Sequence, residues 1–198
     1  MYAMQYSNPE DRYRNELQNL QEFIYKHTSE WAEKIQDILS ETQSFEKGKS
    51  ILFECIFLFI HLTERISHTK LSEPKAKKLE EALRFFIILG IVDIMYEENE
   101  EDKKQLERAQ LLKIIEKRHI HYTSCTELYK KSDPTSDTSL VGRFSKQLIE
   151  VMEISDEEDV GALREIVGEL AIKFILSELK TFENLILRAG NELAIEIV

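Results

Sequence analysis

The chain has 198 residues, with 37 Asp and Glu against 26 Lys and Arg and a formal net charge of −11. That balance excludes a bare nucleic-acid binder, which needs a basic, counterion-releasing surface, and charge-driven docking on an anionic membrane. The length suits one domain spanning 1–198, and 42% hydrophobic residues suffice for a sizeable core. Gly and Pro number only 6 and 3, which starves a β-rich fold of turns. Glu outnumbers Asp by 29 to 8, and Leu with Ile outnumber Val by 45 to 6, a balance that favours helix. The expected fold is an all-α, single-domain bundle of five to six largely antiparallel helices with a long N-terminal helix.

The first helix opens at Ser7-Asn8-Pro9, a cap followed by a first-turn proline. Its apolar seam runs Tyr13, Leu17, Leu20, Ile24, Trp31, Ile35, Ile38 and Phe45. Unbroken to Phe45, this helix is about 55 Å long, whereas a globule of this chain length is about 42 Å across. It is therefore expected either to break near His27-Thr28-Ser29 or to protrude and find a partner. Leu17, Leu20, Ile24 and Trp31 are the expected interface of a homo-oligomer. Helix two is expected from Ser50 to Thr69. Helix three runs from Pro74, capped by Ser72, to Tyr96, and helix four from Glu101 to Lys130. The Ser132–Asp137 stretch is the clearest loop, and 132–138 the natural hinge. Helix five covers Ser139 to Glu153. Helix six begins at a capping box of Ser155 with Glu158 and stops at Gly190-Asn191. The segment 192–198 reads as a short helix or a strap.

The longest apolar runs, Ile51–Leu62 and Phe85–Met95, fall short of the roughly 18–20 residues of a membrane span. The N-terminal residues show no basic segment followed by an apolar stretch, so no signal peptide is expected. Two cysteines, Cys55 and Cys125, without CxxC spacing read as small buried hydrophobes in a reducing cytoplasm. Gly48-Lys49-Ser50 resembles the end of a phosphate loop but lacks the preceding glycine and strand. The acidic stretches at 97–102 and 156–159 lack the oxygen-ligand alternation and turn glycine of a calcium loop.

Helix two carries the one unusual polar pattern. Glu54, His61, Arg65 and His68 fall within about 60° of one another on its face, extended by Lys47 and Ser50. The stripe reads either as the wet side of a core helix or as a binding site set in an apolar wall. A buried Glu54 requires a partner, a metal or a proton, and His61 and Arg65 are nearest along that face. Helix four adds Glu116 and His119, the Glu-x-x-His spacing of carboxylate-bridged metal bundles. Only one such motif is present, and helix two runs His61-x-x-Glu64 in reverse order.

Two function classes follow. The favoured one is a non-enzymatic, acidic, self-associating interaction protein, an adaptor or chaperone-like module with a protein partner. The alternative is a bundle binding a divalent metal or small apolar ligand between the helices around 50–69 and 101–130. It would use His61, His68, Glu116 and His119, with oxidoreductase chemistry as one use. No residue stands out as catalytic.

Overall fold

Two of the six helices are longer than the expected width of the whole globule. The computed structural model describes residues 9–38, 45–96, 100–154 and 157–193. Its helices are α1 (Pro9–Ile38), α2 (Phe45–Lys70), α3 (Glu73–Met95), α4 (Glu101–Thr123), α5 (Leu140–Met152) and α6 (Glu157–Glu192). The described residues form an all-α bundle, with one isolated β-bridge between Glu127 and Ser139. None of the helices is long and apolar enough to cross a membrane.

The α1 helix neither breaks nor protrudes. Its 30 residues pass through His27-Thr28-Ser29 as continuous helix, about 45 Å long. The 36 residues of α6 run alongside it for about 54 Å. Phe174 of α6 stacks edge-on against Trp31 at 5.1 Å and His27 at 4.9 Å, and Phe182 lies 5.3 Å from Phe23. Leu17, Leu20, Ile24 and Trp31, expected as an oligomer interface, are therefore buried inside this chain. The expectation failed because the bundle supplies its own equally long helix to cover the seam.

The α2 helix is the centre. Every residue from Glu54 through Glu64 is buried, with α1, α3, α4, α5 and α6 all packed around it. A helix apolar on nearly all sides must be buried, so Glu54 and His61 of the polar stripe are dry, Arg65 is half-buried and His68 alone of the four is exposed. Trp31 and Phe59 meet at 5.8 Å, and Phe59 also contacts Phe174 and Phe182, tying α1, α2 and α6 into one aromatic cluster.

Several boundaries differ from expectation for local reasons. The α2 helix starts upstream of Gly48, which is helical. The α4 helix stops at Thr123 rather than Lys130. The segment after it folds back, with Thr126 N–H donating to Thr138 O (3.0 Å) and Leu140 N–H to Glu127 O (2.9 Å). The expected hinge at 132–138 is fastened: Arg164 of α6 donates to the Thr135 carbonyl and the Asp137 carboxylate, 2.6 Å each. Gly142 brings α5 so close that a Cβ there would lie 2.1 Å from the Ser136 carbonyl oxygen. Ser139 caps α5 by accepting from Gly142 N–H at 3.0 Å. Glu153 closes it in the left-handed region, at φ 58°. Gly190 does not end α6; it gives room for Leu71, whose Cδ1 would lie 2.4 Å from a Cβ. The Ser7-Asn8 cap, Ser155 and most of 192–198 lie outside the described residues.

Candidate functional site

Burial of Glu54 through Glu64 forces the polar residues there to find partners, and α3 and α4 supply them. Glu54, 2% exposed, is gripped by the Arg118 guanidinium, whose Nε and Nη2 both donate to Oε1, Nε at 2.7 Å. Arg118 Nη1 also donates to Gln147 Oε1 of α5. Glu54 Oε2 and the buried Tyr122 hydroxyl have no hydrogen-bond partner in good geometry. Burial raises the Glu54 pKa above its ordinary value, and Arg118 and Tyr122 offset only part of that rise. The expected partners His61 and Arg65 do not serve Glu54. Arg65 instead donates to the Cys125 carbonyl at 3.0 Å.

Nearly three turns along α2, a second cluster centres on Glu64, 4% exposed. His61 Nδ1 lies 3.1 Å and His119 Nδ1 2.8 Å from the same oxygen, Oε2. Arg84 of α3 takes the other oxygen, Oε1, through Nε at 2.9 Å and through Nη2. Burial pushes the Glu64 pKa up. Hydrogen bonding from His61 and the charge and hydrogen bonds of Arg84 outweigh it, bringing the pKa down to about 2, with His119 adding to the effect. An ionised carboxylate only accepts hydrogen bonds, so both Nδ1 atoms carry hydrogen in this arrangement. The His61 and His119 rings stand 5.8 Å apart, and Tyr122 packs 5.3 Å from His61. His61 Nε2 is buried without a hydrogen-bond partner.

The structure thus unites His61 and His119, as their assignment to facing helices implied, but completes the group with Glu64. Glu116 is exposed on α4, outside the cluster. His68 is engaged elsewhere, Nδ1 with Glu73 at 3.3 Å and Nε2 with Glu80 at 2.8 Å. Glu64 was legible as the residue one turn after His61, on the same face. Arg84 and Arg118 gave no such signal, because each reaches its carboxylate from another helix, and helical spacing relates only residues of the same helix.

Other features offer less chemistry. Burial pushes the thiols of Cys55 and Cys125 up, which keeps them protonated and poor nucleophiles. A cavity of about 410 Å³ lies between α1 and α6, beside His27, Lys34 and Phe174. A wider groove of about 830 Å³ runs between α1, α2 and α3, floored by Leu52, Phe53, Ile56 and Ile91. No family model, curated protein or solved structure matches the chain.

Proposed function

We propose that the protein works as a non-enzymatic interaction module and that it self-associates through the face formed by α3 and α4. The observation that carries this reading is where apolar side chains meet solvent. Among the described residues, eight large hydrophobics are exposed. Six of them, Phe85, Phe86, Leu106, Leu112, Ile114 and Ile120, lie on these two adjacent helices. Scattered exposed hydrophobics are ordinary; six on one pair of adjacent helices are the concentration from which an interaction surface is read. Phe85 and Ile120 each follow by one residue a side chain that reaches Glu64 (Arg84 and His119). They therefore sit at the same height on the helix pair.

Charge favours a second copy as the occupant. The whole chain carries −11, so two copies repel over most of their surfaces. The α4 helix is the most basic of the six, with six Lys and Arg against four Asp and Glu in Glu101–Thr123. Its exposed charges comprise three acids, Glu101, Asp102 and Glu116, and three bases, Lys103, Lys113 and Lys117. A copy turned end for end sets opposite signs against each other, as a two-fold interface requires. The two free, buried cysteines suit a reducing compartment such as the cytoplasm.

The test is mass by light scattering across the micromolar range. The wild-type chain, 23.3 kDa as a monomer, should approach twice that mass. A Phe85→Asp/Ile120→Asp variant should return to the monomer with unchanged helical circular dichroism, since these side chains are 59% and 70% exposed. A wild-type chain that stays monomeric at high micromolar concentration, or a variant that stays dimeric, overturns the reading.

A further inference from the structure

We propose that His61, Glu64 and His119 form a binding site for one divalent transition-metal ion of the zinc class, bridging α2 and α4. One donor atom from each of the three residues lies within 4.8 Å of the others. Two imidazoles and one carboxylate are a donor set that zinc accepts, with bonds of about 2.0–2.2 Å. Tetrahedral bonds of that length set neighbouring donors about 3.3 Å apart. The two histidine-to-carboxylate distances are 3.1 and 2.8 Å, so an ion needs each of these two contacts to open by only a few tenths of an ångström.

The surroundings match what a ligand shell requires. Arg84 occupies Glu64 Oε1 and leaves Oε2 to the ion, the outer hydrogen bond that orients a metal-binding carboxylate. The Arg84 charge has a counterweight in Glu80, which also receives the Ser67 hydroxyl at 3.2 Å. His61 Nε2 has no partner. The ring is therefore not locked to the tautomer that serves Glu64, and either nitrogen can turn its lone pair to an ion. On binding, two N–H···Oε2 hydrogen bonds are exchanged for N–metal bonds, and each imidazole keeps its single hydrogen on its other nitrogen. His119, with its side chain 42% exposed, opens the cluster to solvent, giving the ion its route in and water the fourth coordination position.

The experiment uses the full chain, free of any affinity tag, titrated calorimetrically with zinc chloride. One equivalent should bind to the wild type. His119→Ala removes a half-exposed ligand without opening the core, and should weaken binding at least about tenfold. Glu116→Ala, on the exposed side of α4, should bind as the wild type does. Cobalt(II) should give the intense visible bands of a tetrahedral site in the wild type and lose them in His119→Ala. Zinc should raise the melting temperature of the wild type and not that of His119→Ala. Absence of saturable binding in the wild type, or equal affinity in His119→Ala, overturns the assignment.

Discussion

Replacing Arg118 by Met isolates the cost of leaving Glu54 alone in the core. The Glu54 side chain is 3% exposed and that of Arg118 14%, so water cannot replace the missing cation. Breaking a buried pair by removing one partner costs about 3–5 kcal/mol. Gln147, 3% exposed, loses its Arg118 hydrogen bond as well. For a chain of this length the unfolding entropy turns that loss into a fall in Tm of about 7–12 °C, measured by circular dichroism. Removing both charges, as Glu54→Leu/Arg118→Met, should recover most of the loss, because an apolar pair of similar volume is often as stable as a buried ion pair. The pH dependence has a definite sign. Burial already raises the Glu54 pKa, and without Arg118 it rises further. The folded single variant then holds a proton that the unfolded chain has released, so it gains stability as pH falls and loses it as pH rises through the folded pKa. A single variant within about 1 kcal/mol of wild type, or a double variant as unstable as the single, refutes the account.

Leu20→Glu places a carboxylate at a position with 0% exposure. It should lower stability by about 3 kcal/mol or more in denaturant titration, without acting as a monomerising mutation. Burial lowers the His27 pKa; Glu30 and Glu178 pull it back while Lys26 and Lys34 reinforce the drop. As pH falls below about 6.5, the unfolded chain takes up this proton first. Wild-type Tm should therefore decline through pH 6 more steeply than that of His27→Phe, which keeps an aromatic ring against Phe23 and Phe174. Gly142→Ala forces the Ser136 backbone aside and should cost about 2 kcal/mol. Gly161→Ala meets nothing within 4 Å and should gain about 0.5–1 kcal/mol through helix propensity; parallel melts compare the two.

The architecture was readable because helix content depends on local signals. Sparse Gly and Pro, Glu and Leu abundance and capping residues such as Ser139 act within a few positions of themselves. What covers each seam was not readable. The spacing of Leu17, Leu20, Ile24 and Trp31 shows that this face must be buried, and says nothing about whether α6 or another molecule does it. The polar stripe of α2 has the same limit. Periodicity set Glu54 and His61 on one face, and a buried carboxylate was known to need a partner. That partner, Arg118, lies 64 residues away in sequence, and choosing it requires the docking of α4. Arg65 and His68 were misassigned because a helical wheel treats a stripe as continuous, whereas each turn of α2 faces a different neighbour. The end of α4 was overestimated because residues 126–128 pair with 138–141 through backbone hydrogen bonds, which side-chain patterning does not report.

The long reach of α6 along α1 has a consequence for how the chain is made. On the ribosome α1 emerges before the other five helices, and the one that shields Phe23, His27 and Trp31 emerges after them. Until its Phe174 and Phe182 arrive, those rings have only α2 and α5 to pack against. The nascent bundle therefore carries an open aromatic furrow for most of its synthesis, which at about 5–20 residues per second lasts many seconds. Aggregation or chaperone capture should concentrate in that interval, and slowing translation between α5 and α6 should lower the soluble yield more than slowing it anywhere upstream.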